Sequence, residues 1–177
     1  MNGKILITGS KGMLGSCLVA KLPNSVGYDI EEFDICDTAI VKKVFEKENP
    51  NIVIHTAALT DVEACEAERD KTFLVNTVGT QNLVNMCIDQ DILFVYISST
   101  GVYGSHKASA YIEFDEAMPT TIHHQSKRHA EVAIQNHLSK YIILRVGWLF
   151  GGDITQNKNF VYKRYLEAQN NSVMYSD

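Results

Sequence analysis

Three glycines near the start of the chain have a spacing that suits phosphate binding. Gly9, Gly12 and Gly15 follow the apolar run 5–7 and precede a stretch with helical periodicity, so they join a strand to a helix. The GxxGxxG spacing is one residue longer than the usual dinucleotide fingerprint. We expect Gly9 to turn the chain, Gly12 to admit a pyrophosphate, and Gly15 to let the helix pack on the strand.

The charges around this turn also suit a dinucleotide. The N-terminus of the following helix offers unpaired N–H groups and a positive dipole end to phosphates. Asp29 lies twenty residues after Gly9, where a carboxylate can bind a ribose hydroxyl. Lys11 would attract a 2′-phosphate, whereas Asp29 would repel one. The pattern predicts NADP or NAD without deciding between them, and a purely structural strand–turn–helix is the alternative.

Three histidines that are close in sequence, His123, His124 and His129, raise the question of a metal site. Positions 124 and 129 do not share a helix face, and no nearby cysteine or carboxylate completes a ligand set. We therefore predict that the protein holds no metal.

The composition favours a single globular domain. The chain has 177 residues, of which 45% are hydrophobic, enough for one domain with a core. A net charge of −5 and the lack of a basic stripe argue against a nucleic-acid partner. No apolar run is long enough to span a bilayer, so no membrane is expected. The four scattered cysteines predict reduced thiols in a cytoplasmic protein.

Alternating strands and helices must position these residues. Apolar, β-branched runs predict strands at about residues 5–7, 26–30, 52–54, 92–97 and 141–146. Helical periodicity predicts helices at about residues 13–22, 38–48, from 71 onward, 122–137 and 160–168. We expect Thr38 to cap the second helix and an acidic polar segment, 61–70, to precede the third. The third helix is expected to bury Phe73, Leu74, Val78, Leu83, Val84 and Met86.

This alternation predicts an α/β fold, a Rossmann-type doubly wound parallel sheet with helices on both faces. Ligands of such sheets bind at the carboxyl ends of the strands. The glycine turn, the pair Ala57-Ala58 and Ser99 all follow predicted strand ends, so we expect them to lie together.

Several longer stretches resemble the extended short-chain dehydrogenases/reductases, above all the dTDP-4-dehydrorhamnose reductase group. They are ILITGSKGMLGS at 5–16, HTAALTDVEACEAE at 55–68, VNTVGTQNLV at 75–84, YISSTGVYG at 96–104, HHQSK at 123–127 and ILRVGWLFG at 143–151. The resemblance implies an NAD(P)-dependent reductase of a nucleotide-activated 4-keto-6-deoxysugar. Hydride would pass from the nicotinamide to the C4 ketone.

The resemblance also implies a role for each residue of the cofactor site. The pyrophosphate would contact Gly9, Lys11, Gly12, Met13, Leu14 and Gly15. Asp29 would bind the adenosine ribose, and Asp34 with Ile35 would line the adenine. The nicotinamide half would pass Ala57, Ala58 and Leu59, with Asn76 bracing the sheet edge and Lys127 on the nicotinamide ribose. For Ala57 and Ala58, small-residue packing under a helix is the alternative.

In this family, catalysis depends on a Ser or Thr, a Tyr, and a Lys four residues after that Tyr. Ser99 and Lys127 occupy the first and third positions, but His123 stands where the family has tyrosine. Counting back from Lys127 and forward from Pro119 gives the same register. Residues i and i+4 share a helix face, so Lys127 is expected beside His123.

Histidine at this position leaves three hypotheses open. The family's tyrosine protonates the substrate oxygen as hydride arrives at carbon, and a nearby positive charge activates it. That charge disfavours the imidazolium form of His123, although a neutral imidazole can polarise a carbonyl through an N–H. The chain is then a reductase with modified acid chemistry, a damaged or engineered enzyme, or a non-catalytic cofactor-binding or regulatory protein.

Two features bear on the substrate. Thr100 and Gly101 stand where the rhamnose-reductase group usually has Asp-Tyr touching the sugar, and residues 98–104 look more like the sugar-nucleotide epimerases. Trp148 would stack on a sugar ring or serve only in packing. With Ser99, Thr100 and Trp148 as substrate contacts, a nucleotide-activated deoxysugar is expected, and an epimerase is an alternative.

The resemblance implies that the family continues beyond residue 177 with a lobe that grips the nucleotide sugar. We therefore expect an NAD(P)-binding domain at 1–152, with residues 153–177 as the start of that C-terminal lobe. A homodimer is an open alternative.

Overall fold

Five short parallel strands form one sheet in the computed structural model, which describes residues 3–88, 90–152, 154, 159–170 and 173. The strands lie in the order β2-β1-β3-β4-β5. Their bounds are β1 (Ile5–Thr8), β2 (Ser25–Tyr28), β3 (Ile52–His55), β4 (Leu93–Ser99) and β5 (Tyr141–Val146). Because all five run in parallel, their carboxyl ends meet at one edge of the sheet.

Helices connect the strands across both faces. They are α1 (Met13–Lys21), α2 (Thr38–Glu48), α3 (Val62–Ala67), α4 (Arg69–Phe73), α5 (Thr80–Cys87), α6 (Ile122–His137) and α7 (Phe160–Asn170). The chain moves one way from β1 to β2 and the other way through β3, β4 and β5. Right-handed crossovers therefore place α1 on one face and α2, α5 and α6 on the other. The predicted doubly wound α/β fold is confirmed.

The core lies between the sheet and the α2, α5 and α6 layer. Strand side chains in it include Leu6, Val53, Phe94 and Tyr96, and helix side chains include Val41, Phe45, Leu83, Val84, Ala130 and Ile134. These apolar side chains recur at strand and helix spacing, so burying them stabilises the arrangement that the sequence pattern predicts.

Two local predictions are wrong by a residue or two. β2 ends at Tyr28 and not at residue 30, because the Asp29 carboxylate accepts the Ile30 N–H and a turn begins there. Asp37, and not Thr38, caps α2, because its carboxylate accepts two N–H groups of the first turn.

The third predicted helix, from about residue 71 onward, differs from the structure by more than its end points. The acidic segment before it is helical, with Asp61 capping α3, and a π-helical turn (Leu74–Gly79) separates α4 from α5. A π turn takes more residues per turn than an α-helix, so the side chains around it rotate to other faces. Leu74 and Val78, which were expected to be buried, are exposed as a result, whereas Asn76 is buried.

Residues 153–177 lie partly outside the described residues. Of the predicted C-terminal segment, the structure describes residues 154, 159–170 and 173, which include α7. Within the described part of the chain, no helix combines the length and the apolar character that crossing a membrane requires.

Candidate functional site

The glycine turn, residues 9–15, is shaped by the absence of side chains. Gly9 has φ +68°, and a Cβ there would lie 2.8 Å from backbone atoms of Ala57. A Cβ on Gly15 would lie 2.1 Å from the Gly9 carbonyl oxygen, so α1 packs directly on the turn. Among the described residues, a Cβ on Gly12 would meet only the Gly9 oxygen, at 3.2 Å. This open space at the N-terminus of α1 fits a phosphate group.

A cavity of about 800 Å³ opens between the glycine turn, the carboxyl ends of the strands and α6. Six of the predicted cofactor-binding residues line it, namely Gly12, Met13, Leu14, Gly15, Ala58 and Lys127. The predicted catalytic and substrate residues line it as well, namely Ser99, Thr100, His123, Lys127 and Trp148. The structure therefore brings the glycine turn and the expected catalytic side chains together around one space.

Eight predicted residues lie outside this lining, namely Gly9, Lys11, Asp29, Asp34, Ile35, Ala57, Leu59 and Asn76. Gly9 shapes the turn itself. Ala57 packs against the core and donates its backbone N–H to Thr8 Oγ1 at 3.3 Å, which agrees with the packing alternative for that residue. Only Ala58 of the alanine pair lines the cavity.

Asp34 and Ile35 follow the turn after β2. The Asp34 carboxylate accepts the Cys36 N–H at 2.9 Å, which fixes the turn. The Ile35 side chain is buried in the core against Gly79, and its carbonyl oxygen accepts from Asn82 at 2.9 Å. A side-chain contact between Ile35 and an adenine therefore conflicts with this packing.

Asp29 accepts a hydrogen bond from Lys11, and Lys11 also forms an ion pair with Glu31. The Asp29 carboxylate accepts the Lys11 backbone N–H at 2.7 Å. The Lys11 ammonium pairs with the carboxylate of Glu31 at 2.9 Å, and this contact raises the pKa of Lys11, with Glu32 and Asp29 adding to the effect. Acidic groups outnumber the cation at this edge of the turn. Sequence spacing did not indicate Glu31, because its pairing with Lys11 depends on β2 lying beside β1.

Ser99 ends β4 and caps a 3₁₀ turn (Thr100–Tyr103). Its Oγ accepts the Gly101 N–H at 3.2 Å. A hydroxyl has one proton and two lone pairs, so accepting this hydrogen bond does not use the Ser99 proton.

His123 reaches the cavity from the first turn of α6 and is only 6% exposed. Its Nδ1 lies 3.0 Å from the Leu59 carbonyl oxygen. A carbonyl oxygen only accepts, so we infer that Nδ1 carries a proton and donates it. In the neutral ring Nε2 is then an acceptor, and only imidazolium can donate from Nε2. This bond argues against the hypothesis that a neutral His123 polarises a substrate carbonyl, because the N–H of that tautomer points to Leu59.

Lys127 lies one helical turn after His123 and is 5% exposed. Its Nζ is 4.2 Å from the centroid of the Tyr96 ring, a cation–π contact. Burial lowers the pKa of Lys127 to about 7, and the charge of Glu131 offsets part of that effect. Lys127 is thus close to the balance between its charged and neutral forms at neutral pH.

Asn76 clamps the loop after β3 to α6, as the predicted bracing role requires. Its Oδ1 accepts the Leu59 N–H at 2.8 Å, and its Nδ2 donates to the Leu59 carbonyl and to Ser126 Oγ, each at 3.0 Å. The clamp holds the carbonyl that orients His123. Asn76 acts here on the backbone and not on the cavity.

Glu131 is a buried residue that the sequence analysis missed. Arg145 of β5 binds it with two hydrogen bonds, 3.0 and 2.8 Å, and Ser98 Oγ donates to it at 2.6 Å. Burial acts to raise the pKa of Glu131, but Arg145 and Ser98 outweigh it and the net direction is down. The network ties α6 to β4 and β5. Its sequence signal was an acidic residue one turn after Lys127 on the buried face of α6.

Trp148 and the three histidines that were considered as metal ligands do not form one cluster. Trp148 is 86% exposed at the cavity mouth, with its ring centroid 5.4 Å from that of Phe160 in α7. His123 and His124 have ring centroids 5.0 Å apart, whereas His129 contacts Phe73 away from them. Across residues 3–88 and 90–152 and the described part of α7, no three metal-binding side chains come together.

Comparison with known proteins identifies relatives over nearly the whole chain. The dTDP-4-dehydrorhamnose reductase of Aggregatibacter actinomycetemcomitans is 30% identical over 176 residues, covering 97% of this chain and 59% of that protein. The dTDP-4-keto-6-deoxy-D-glucose reductase of Streptomyces niveus is 30% identical over 168 residues, covering 92% and 57%.

A solved structure agrees in fold as well. The dTDP-4-dehydrorhamnose reductase of Bacillus anthracis, crystallised in complex with NADP, superposes with a TM-score of 0.90 at 30% identity, covering 97% of this chain and 61% of that one. The chain thus spans less than two thirds of the length of these relatives. The family described as RmlD substrate binding domain matches residues 3–175. Because this match covers almost the whole sequence, the chain belongs to that family, and the resemblance to the dTDP-4-dehydrorhamnose reductase group is confirmed.

Proposed function

We propose that the protein is an NAD(P)-dependent reductase that converts the C4 ketone of a nucleotide-activated 4-keto-6-deoxysugar to an alcohol. The observation that carries this proposal is the single cavity lined by the glycine turn, Ser99, His123 and Lys127. A dinucleotide on the turn and a ketone beside Ser99 would share that cavity. The names of the relatives, reductases of dTDP-linked keto sugars, support the same substrate class.

Each cavity residue has a distinct part in this proposal. A bound nicotinamide supplies the hydride that adds to C4. The Ser99 hydroxyl donates to the ketone oxygen, while its own oxygen accepts from the Gly101 N–H. His123 as imidazolium donates the proton that this oxygen needs, while Leu59 holds the ring. The charge of Lys127 disfavours this imidazolium form, and the lowered pKa of Lys127 reduces that charge at neutral pH. Lys127, with its pKa lowered to about 7, would hold a ribose hydroxyl through Nζ.

Gly12–Gly15 and the N-terminus of α1 would hold the pyrophosphate, and Asp29 the adenosine ribose. The acidic surroundings of Lys11 support a preference for NADH over NADPH, although a related structure holds NADP.

The proposal extends to the whole protein. Residues 1–152 would form the cofactor-binding domain, and 153–177 would begin the substrate lobe; Phe160 and Lys163 of α7 already line the cavity. A cytoplasmic location is supported by the free thiols of Cys17, Cys36, Cys65 and Cys87. Whether the protein forms a homodimer would be decided by light scattering.

The test is a reduction assay on the full-length protein with a dTDP-4-keto-6-deoxysugar and NADH or NADPH. We expect loss of reduced nicotinamide and a product heavier by one hydrogen molecule. Ser99→Ala should lower kcat/KM about a hundredfold, because one catalytic hydrogen bond is lost. Ser109→Ala, on an exposed loop residue, is the control and should leave the rate unchanged.

Two results of this assay would contradict the proposal and favour another function. Sugar interconversion without net consumption of nicotinamide would indicate an epimerase, the reading that residues 98–104 favour. Dinucleotide binding without any sugar chemistry would indicate a non-catalytic binding protein, the reading that His123 in the tyrosine position favours.

A further inference from the structure

Helix α6 carries a second imidazole at the cavity, immediately after His123. The ring of His124 lies directly over Gly101, where an added Cβ would be 2.2 Å from its Cε1 and Nε2. Cβ atoms in proteins do not approach other atoms so closely, so His124 in this position excludes a side chain at 101. Both residues line the same cavity as Ser99 and Lys127.

The His124 ring is held in place by the cap of its own helix. Thr121 is the N-cap of α6, and its Oγ1 accepts the His124 backbone N–H at 3.3 Å. The same Oγ1 lies 2.8 Å from His124 Nδ1. With Nδ1 engaged by Thr121, the face of the ring next to Cε1 and Nε2 covers Gly101 on the cavity wall.

We propose that His124 is a substrate-contacting residue that determines which sugar the cavity accepts, and that Gly101 provides the space for its ring. This inference rests on the proposed function. The ligand class is a pyranose whose ring hydroxyl bonds to Nε2 and whose ring carbons pack on the imidazole face.

The charge state of His124 suits this role. Burial lowers the pKa of His124 and so favours the neutral ring. A neutral imidazole held through Nδ1 presents one polar atom and a flat apolar face, and a sugar ring offers hydroxyls and C–H groups to match. The role differs from that of His123, whose Nδ1 is held by Leu59 and whose proton chemistry serves the ketone oxygen.

A purely structural role for His124 makes a different prediction. The helix cap uses the His124 backbone N–H and not its ring, so His124→Ala keeps the cap. Gly101 has no positive φ, so its backbone also accepts alanine. The two substitutions therefore change the cavity wall without removing a fold element.

The experiment compares His124→Ala, Gly101→Ala and the double variant in the full-length protein. KM and kcat are measured with a dTDP-4-keto-6-deoxysugar, and the dinucleotide Kd by nicotinamide fluorescence. We expect His124→Ala to raise KM about tenfold through the lost hydrogen bond and contact, with kcat and the dinucleotide Kd within about twofold. His129→Ala, on the opposite face of α6, is the matched control and should leave KM unchanged.

Gly101→Ala should raise KM similarly, because the new methyl group displaces the His124 ring. The double variant should be no worse than His124→Ala, since the methyl group then has nothing to displace. A KM for His124→Ala within twofold of the parent, with reduction intact, would overturn the inference and leave the proposed function standing. A parent protein that binds dinucleotide but reduces no keto sugar would overturn both.

Discussion

At the scale of single residues, the hydrogen bond from His123 to Leu59 would determine the proton chemistry of the proposed reaction. Because Nδ1 is the donor to a carbonyl oxygen, Nε2 gives a proton only from imidazolium and takes one only from the neutral ring. Ketone reduction needs a proton on oxygen, whereas oxidation of the alcohol needs a base. The two directions of the proposed reaction should therefore depend on pH in opposite ways.

The first prediction follows from that tautomer. In the full-length protein, the rate of ketone reduction should fall as pH rises and imidazolium is lost, while the reverse oxidation should increase. His123→Ala should flatten this histidine step and lower the reduction rate about a hundredfold, the usual contribution of a positioned general acid. His129→Ala should reproduce the parent profile. If His123→Ala and His123→Tyr both match the parent at every pH, His123 has no catalytic part.

Much of this site was predictable from the sequence, because motif residues at strand ends converge in any parallel sheet. Ser99, His123 and Lys127 lie around one cavity as expected. The tautomer of His123 was not predictable, since it depends on a carbonyl held by Asn76 from another element. Glu31 escaped detection for the same reason, because side-chain pairs between elements leave no periodic signal.

Glu31 carries a second prediction, on cofactor preference. Glu31→Gln should release the Lys11 ammonium and remove a negative charge, so the ratio of NADPH to NADH affinity should rise about tenfold. Asp29→Ala should shift the ratio in the same direction. Glu46→Gln, an exposed carboxylate on α2, is the control. Fluorescence titrations in which neither Glu31→Gln nor Asp29→Ala changes the ratio would mean that another residue recognises the ribose.

Lys127 carries a third prediction, on stability. Its pKa is about 7 in the fold and 10.5 ordinarily, so below about pH 7 both states hold the proton and the burial penalty is fully present. Between these values the unfolded chain binds the extra proton, so the penalty declines as pH rises. Lys127→Met should therefore raise the free energy of unfolding at pH 6, by on the order of 1–3 kcal/mol, and less at pH 10.

Urea unfolding at both pH values measures this difference. Lys43→Met, which replaces an exposed lysine of α2, is the control and should show no such dependence on pH. An equal effect of Lys127→Met at pH 6 and pH 10 would mean that the buried ammonium is not destabilised in the fold.

At the scale of elements, the π-helical segment directs the side chain of Asn76 into the protein interior. The buried amide then pairs with both backbone groups of Leu59 and with Ser126 of α6. Asn76→Ala should lower the free energy of unfolding by about 2–3 kcal/mol, because it leaves buried polar groups without partners. Asn85→Ala, on the exposed face of α5, should stay within about 0.5 kcal/mol. Equal urea midpoints for the two variants would mean that the hydrogen bonds of Asn76 do not stabilise the fold.

A helix or strand was predictable from the sequence where its apolar residues recur at regular spacing. The bounds of α6 and β5 match the prediction, because apolar residues recur along both at regular spacing. The π turn was not predictable, because an α-helical period through Leu74 and Val78 fits the sequence equally well. The hydrogen bonds of the buried Asn76 side chain, which are tertiary contacts, favour the π turn over a continuous α-helix.

At the scale of the whole molecule, the strand order brings the site together. β1 carries the glycine turn at the sheet edge, β3 beside it carries Ala58, and β4 next along carries Ser99. Helix α6 then returns across β4 and lays His123 and Lys127 over that edge. We propose that a dinucleotide lies on the glycine turn within this arrangement.

Titration of the protein with NADH and NADPH, followed by nicotinamide fluorescence, tests this placement of the dinucleotide when the parent is compared with Gly12→Val. Gly12 has φ −67°, which valine adopts, so the fold should persist while the new side chain fills the space for the pyrophosphate. Ala20→Val places the same side chain farther along α1 and should bind like the parent. We predict saturable binding by the parent and a loss of at least about a hundredfold for Gly12→Val. Equal affinity of the parent and Gly12→Val would contradict the account.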